Sequence, residues 1–448
     1  MKTKLLILLC LLARATLAQT PIDDYIRQGL ESNLALKQKE TSYRKSLESL
    51  KEAQALFFPN ISLNARYSVA QGGRTIDLPI GDLLNPVYAT LNQLLHQNLF
   101  PSIENESFMF LRPHEQETKI RMVQPLFNSD IYYNSKIRRE LTETEKITVD
   151  QYRQELAAEI RKAYYTVAMA DRLTGMLADT RKLLEENVRV NRKLVDNGKI
   201  TIDNLYRSET ELAGFDQKIQ VSEKNRTMAA GYFNFLLNRP LKEKIVIAEP
   251  GLIPETISDS TGFAQTALEN RVEVRKLEKA GDITELQLKM NQAGSLPNLM
   301  VVADYGIQGE EYKFNKDADF AQASAVLTWD LFAGFQNRAK IRQAKLAKEM
   351  LDQQSEEVKK QIELQVLNAY QELKTAREGI VSAESQLRSA REGFRLVKRR
   401  YDEGQANLIE FIDARTTLTQ AEENLIISKF TWLSDYAEFE KVAAIRKY

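Results

Sequence analysis

Residues 59–69 read PNISLNARYSV, and residues 297–307 read PNLMVVADYGI. In the first stretch Ile61, Leu63, Ala65, Tyr67 and Val69 alternate with Ser62, Asn64, Arg66 and Ser68. Successive side chains of a strand point to opposite faces, so this spacing predicts one apolar face and one polar face. The second stretch repeats the pattern, with Leu299, Val301, Ala303 and Tyr305 against Asn298, Met300, Val302 and Asp304. Pro-Asn opens both, Tyr67 matches Tyr305, and the offset is 238 residues. Upstream, Leu30 matches Leu268 and Glu31 matches Glu269 at the same offset. Downstream, Leu126-Phe127 matches Leu331-Phe332, Lys136-Ile137-Arg138 matches Lys340-Ile341-Arg342, and Gly198 matches Gly404. The chain therefore reads as an internal duplication. The repeats span 19–240 and 260–448, and a proline-bearing linker covers 241–259.

Proline placement outlines the rest. None occurs between Pro125 and Pro240, and none after Pro297. An interior proline costs a helix about 3 kcal/mol, so these zones are free to hold long helices. Residues 134–198 and 337–403 are rich in Ala, Leu, Glu, Lys, Arg and Gln, the strong helix formers. Apolar residues recur at alternating three and four, as Leu156, Ile160, Ala163, Val167, Ala170 and as Ile362, Val366, Ala369, Leu373. That is the stripe of a helix packed against others. Each predicted rod is about 100 Å long at the helical rise. Shorter helical stretches are predicted at 22–57, 201–237, 260–295 and 407–444. Two of these end to end match one long rod.

Four strands are expected, at about 59–70, 117–127, 297–308 and 320–332. Strands of roughly ten residues suit a tilted membrane crossing, and Tyr67, Tyr305 and Trp329 are candidates for an interfacial aromatic girdle. Alternation alone fits a water-soluble sheet equally well. No element is left over to cover these four strands, however, and four strands cannot close a barrel. Open sheet edges are not tolerated in lipid, so a membrane form requires several chains sharing one barrel. The strand pairs are joined by a long segment, 73–116, holding both histidines, and by a short one near 309–318. Within the long segment Leu83–Phe100 reads either as a helix on the barrel rim or as unstructured loop.

Composition narrows the functions. The 448 residues hold 62 basic and 62 acidic side chains, two histidines and one cysteine. A net charge of zero offers no field for nucleic acid. So little His and Cys leaves no material for a metal centre or catalytic triad, and no cofactor is expected. Lys2 and Lys4 precede the apolar run Leu5–Ala13, and Thr16 and Ala18 fit a cleavage site, so residues 1–18 read as a secretory signal peptide.

The order helix, strand, loop, strand, long helix, short helix, repeated twice over the mature chain, resembles the TolC-like outer membrane efflux family. The resemblance implies a mainly α protein with membrane β. Three identical chains would each give four strands to one barrel in outer membrane lipid, above a long antiparallel α-helical barrel reaching through the periplasm. Such proteins are passive exit ducts, not enzymes, joined through a periplasmic adaptor to an inner-membrane transporter for efflux or type I secretion. The competing reading is a soluble periplasmic coiled-coil scaffold or adaptor.

The turns at the far ends of the long rods are RKLVDNGKITIDNLYRSE, 192–209, and RRYDEGQANLIEFIDARTT, 399–417. Gly198 and Gly404 suit helix C-caps, and in the family such turns form the tip that docks the adaptor. Glu410 and Asp413 sit where family members line the closed aperture with acids. Tyr401 matches a latch tyrosine. Its candidate partner is Asp203, although Asn204 aligns better with the family aspartate. Ala406 stands where some members carry a latch arginine, so that contact is missing.

Overall fold

The computed structural model describes residues 21–248 and 261–446. The signal-peptide reading of 1–18 and most of the linker reading lie outside the described residues. The protein is mostly helical with a few antiparallel strands. Its chain forms two compact units. A helical unit takes residues up to Glu48, Arg139–Glu285 and the chain from Leu346 onward; a strand-bearing unit takes Ser49–Arg138 and Leu286–Lys345.

In chain order the elements are α1 (Pro21–Ser32), α2 (Leu34–Ala55), β1 (Asn60–Val69), β2 (Thr75–Leu78), α3 (Ile80–Leu95), β3 (Glu106–Met109), β4 (His114–Phe127), α4 (Ser129–Asp196) and α5 (Ile202–Leu236). There follow α6 (Thr261–Asn270), α7 (Val272–Ala293), β5 (Asn298–Gly309), β6 (Asp319–Thr328), α8 (Gln336–Asp402) and α9 (Leu408–Val442). The proline-free zones are single helices of 68 and 67 residues, α4 and α8, each followed by a helix of 35.

The stripe residues point inward. Leu156, Ile160, Ala163 and Val167 of α4 are buried with Ile26, Leu36 and Phe233, and Tyr25 packs its ring edge-on to Phe233 at 5.1 Å. Ile362, Val366, Ala369 and Leu373 of α8 are buried with Trp432, Phe439 and Val442. Burying a large apolar side chain contributes about 1.5–3 kcal/mol, so each set outweighs the exposed charge pairs around it. Two ion pairs tie α4 to α9, Arg161 with Glu440 and Lys162 with Glu438 at 3.2 Å.

Two expectations need correction. The stretches 22–57 and 260–295 are not single helices; each divides, at Asn33 and at Arg271. Asn33 accepts the Leu36 N–H at 3.0 Å and donates to the Leu236 carbonyl at 2.9 Å. A short amide side chain that bonds nearby backbone competes with the helix and bends it. Within 73–116, where Leu83–Phe100 was open between helix and loop, the structure has a helix, Ile80–Leu95. β2 pairs with β3, and α3 is pinned to the returning chain by two amides. Asn85 exchanges two bonds with Ile103, at 2.9 and 2.8 Å. Asn92 does the same with Phe100, at 2.7 and 2.9 Å.

The main sheet is antiparallel in the order β1-β4-β5-β6. β4 begins at His114, earlier than the expected 117, because Val69 and Tyr67 of β1 still pair with His114 and Gln116. β6 ends at Thr328, which leaves Trp329 beyond the ladder. A register shift between Pro125 and Phe127 marks the helix-proximal end of the β4–β5 ladder, where proline has no N–H to donate.

Candidate functional site

The strand unit presents two unlike faces. Strand register puts Leu63, Ile120 and Tyr305 in one row and Ile61, Met122 and Ala303 in the next, all on the same face. Most of these side chains are open: Leu63 is 73% exposed, Ile61 66% and Tyr305 61%, while Met122 and Ala303 are half-buried. Val69 and Leu327 on the same face are likewise exposed. Gln116, on the same face, is fully buried. Leaving an apolar face this wide in water forfeits the main driving force of folding, so the face demands an apolar neighbour. The opposite face carries Ser62, Asn64, Arg66, Glu117, Lys119, Arg121 and Asp304. The outer edges of β1 and β6 have no strand partner among the described residues. No helix among the described residues is long and apolar enough to cross a membrane.

The girdle candidates fall at three levels. Tyr67 is at the outer end of the sheet, level with Gln116, and its hydroxyl lies 3.2 Å from His114 Nδ1. Tyr305 sits mid-strand opposite Ile120 and Ala321, so it shares no level with Tyr67. Trp329 is at the helix-proximal end and donates from Nε1 to the Ser295 carbonyl at 3.0 Å. That end also exposes Phe57, Phe58, Phe127, Phe332 and Phe335, which the reading of the sequence passed over. The signal was present as FFP before β1 and as the repeated Leu-Phe, at the end of β4 and after β6.

The two turns of the helical unit share one frame. Gly198 (φ 65°) and Gly404 (φ 73°) occupy the left-handed region, where a side chain costs about 1–2 kcal/mol. The Gly198 N–H donates to the Val195 carbonyl and the Lys199 N–H to the Leu194 carbonyl, both at 2.8 Å. Gly404 donates to Tyr401 at 3.0 Å and Gln405 to Arg400 at 2.7 Å. These paired bonds satisfy the last carbonyls of α4 and α8.

Around the second turn the candidates separate. Glu410 is engaged twice. Its backbone N–H donates to Asn407 Oδ1 at 2.9 Å and its carboxylate accepts from the Asn407 N–H at 3.4 Å, a capping box that starts α9. The same carboxylate lies 3.4 Å from Arg400. Asp413 is exposed and has no ion-pair partner among the described residues. Tyr401 stacks on Phe411 at 4.7 Å and donates its hydroxyl to Asn191 Oδ1 at 2.9 Å. In this structure its hydroxyl thus meets Asn191, fully buried on α4, and neither Asp203 nor Asn204. Asn204 instead donates to Thr201 Oγ1 at 3.0 Å. Three turns back along α4 from Asn191, Thr180 receives a hydrogen bond from Arg415. Eleven residues is close to three full helical turns, so Thr180 and Asn191 lie on one face of α4. Burial pulls the Arg415 guanidinium below its ordinary range, and no carboxylate among the described residues bonds to it.

Residues 263–442 match the family model described as outer membrane efflux protein. That match makes the segment similar to the outer membrane efflux protein family. Over nearly the whole chain the fold is similar to that of solved outer membrane channels. The Campylobacter jejuni CmeC outer membrane channel aligns at TM-score 0.75 and 13% identity, covering 95% of this chain and 85% of that one. The Vibrio cholerae outer membrane protein VceC aligns at 0.72 and 13%, covering 94% and 95%. The open-state Neisseria gonorrhoeae MtrE outer membrane channel aligns at 0.73 and 18%, covering 94% and 88%. No curated protein matches the chain in sequence.

Proposed function

We propose that this efflux-family chain is one third of an outer membrane exit duct. Three copies join β6 of one to β1 of the next and close a barrel of about twelve strands, with the exposed apolar face toward lipid and the charged face toward the lumen. The observation that carries this reading is the open sheet, with one face apolar and largely exposed, the other holding the charged side chains, and the outer edges of β1 and β6 unpaired among the described residues. Lipid supplies the apolar neighbour and the next copy supplies the edge partner, so one assembly answers both demands.

In this reading the chain is an internal duplication whose two helical hairpins contribute to a periplasmic α-helical barrel. It serves as a passive conduit, coupled through a periplasmic adaptor to an inner-membrane pump in tripartite efflux or type I secretion. The turns at Gly198 and Gly404 form the adaptor-docking tip. Glu410 and Asp413 line the aperture, with Asp413 the acid free to meet cations. Tyr401 latches the tip through Asn191.

The protein should fractionate with outer membranes, run as a trimer in detergent that dissociates on heating, and conduct ions across planar bilayers. A water-soluble monomer without pore activity would favour the scaffold reading and end this one. At the tip, the double variant Glu410→Gln, Asp413→Asn should weaken divalent-cation block of single-channel current. Unchanged block would remove the aperture assignment.

A further inference from the structure

The polar face of the sheet carries six charged side chains that alternate in sign along one unbroken run of contacts. Glu115 lies 4.0 Å from Arg66, and Arg66 3.7 Å from Glu117. Glu117 is 2.5 Å from Lys119, and Lys119 3.5 Å from Asp304. Asp304 then accepts two hydrogen bonds from Arg121, from Nε and a terminal nitrogen, each at 2.8 Å.

Strand register explains the run. Arg66 stands opposite Glu117 across β1–β4, and Arg121 opposite Asp304 across β4–β5. Lys119 stands opposite Gly306. A Cβ at position 306 would sit 2.6 Å from both Cα and Cβ of Lys119, so glycine is required for Lys119 to lie where it does. Three cations and three carboxylates cancel. Asp304 is the pivot: it is 8% exposed and holds two of the cations, Lys119 and Arg121, by itself.

We propose that this run is a charge-compensated belt of the channel interior, and that Asp304 is the residue that keeps the barrel from selecting ions by sign. The inference rests on the reading of the polar face as the lumen of a three-chain barrel. Removing the Asp304 charge leaves Arg121 and Lys119 without their shared carboxylate. Each chain then adds one uncompensated positive charge to the lumen, three to a pore. Fixed charge acts on passing ions within the Debye length, about 10 Å at 0.1 M salt, and more weakly in concentrated salt.

The test is ion permeability of the full-length protein in planar bilayers under a potassium chloride gradient. The background is Glu410→Gln, Asp413→Asn, so that acids at the tip do not mask the barrel. In that background Asp304→Asn should lower the cation-to-anion permeability ratio roughly threefold in dilute salt, and less in molar salt. Adding Arg121→Gln to Asp304→Asn should return the ratio to the background value. An assembled, conducting Asp304→Asn pore with an unchanged ratio would overturn the proposal. So would a shift that Arg121→Gln fails to reverse, because charge balance would then not be its cause. If Asp304→Asn does not assemble, Arg121→Gln alone decides: it should shift the ratio toward cations, and no shift overturns the proposal. Absence of conductance in the unmutated protein would instead defeat the channel reading itself, a separate outcome.

Discussion

Gly198 and Gly404 end the two long helices with the same pair of backbone bonds, and what comes three residues to either side of them differs. Before the glycine stands Val195 in the first turn and Tyr401 in the second. After it stands Thr201 in the first, with no side-chain cap bond, and Asn407 in the second, with a complete capping box. Six residues past the glycine, Asn204 in the first turn faces Glu410 in the second. Asn204 is too short to reach back to the cap backbone, so it bonds the Thr201 hydroxyl instead. The second turn is thereby fastened by a complete capping box and, through Tyr401, to Asn191 of α4, while the first has neither, only local bonds such as Asn197 to the Lys193 carbonyl at 2.6 Å and Arg192 to Glu209 at 2.7 Å. The acid at the second tip has a structural task as well as a charge, and a variant that removes both at once would be misread.

This contrast can be broken in four ways, in decreasing order of effect. Tyr401→Phe leaves a buried Asn191 acceptor without its donor and should cost about 2 kcal/mol, measured by denaturant unfolding of the helical unit's signal in detergent. Val195→Ala at the matching position should not show that hydrogen-bond loss. Asn407→Ala should cost about 1 kcal/mol, whereas Thr201→Ala should cost a few tenths, because only Asn407 caps its helix. Equal losses would mean the two turns are fastened alike. Asn204→Glu supplies Thr201 with the missing partner of a capping box and should gain about 0.5 kcal/mol, seen as slower amide exchange at the start of α5.

The smallest effect concerns pH. Asp435, on α9, lies 31 residues past Gly404, where the first hairpin has Ala229. Burial, and then the like charge of Glu372, push its carboxyl above the ordinary range. The folded form therefore holds this proton more tightly than the unfolded form. Stability from this group is greatest below the ordinary carboxylate value of about 4 and falls as pH rises through the raised one. Asp435→Asn should flatten that slope by a few tenths of a kcal/mol, since solvent screens a half-exposed group. A pH–stability profile identical to the parent would show that the site is unperturbed.

How far the chain could be read in advance varies by element. The long helices were legible because α4 and α8 lack proline and repeat a buried stripe, a local signal summed over many turns. The glycines of both turns were legible because the left-handed conformation favours one residue type. The bends at Asn33 and Arg271 were not, since each depends on what the side chain meets: for Asn33, the end of α5, some 200 residues away. The Tyr401–Asn191 hydrogen bond was half legible. Tyr401 marks itself by its place before Gly404, but Asn191 looks like any polar residue on a long helix until α8 is laid beside α4. The phenylalanines flanking the strands were visible only as repeat markers, and their common level needed strand polarity and register.

By itself the amino-acid order determined the extent of the two long helices, the strand faces and the placement of the turns, because each follows from period, proline and glycine within one segment. Tertiary structure decided which side chains meet: Tyr401 with Asn191, Arg415 with Thr180, and Lys119 and Arg121 with Asp304. Such pairings depend on register between distant segments, and a shift of a single residue would exchange every partner, or turn each strand's polar face to the apolar side.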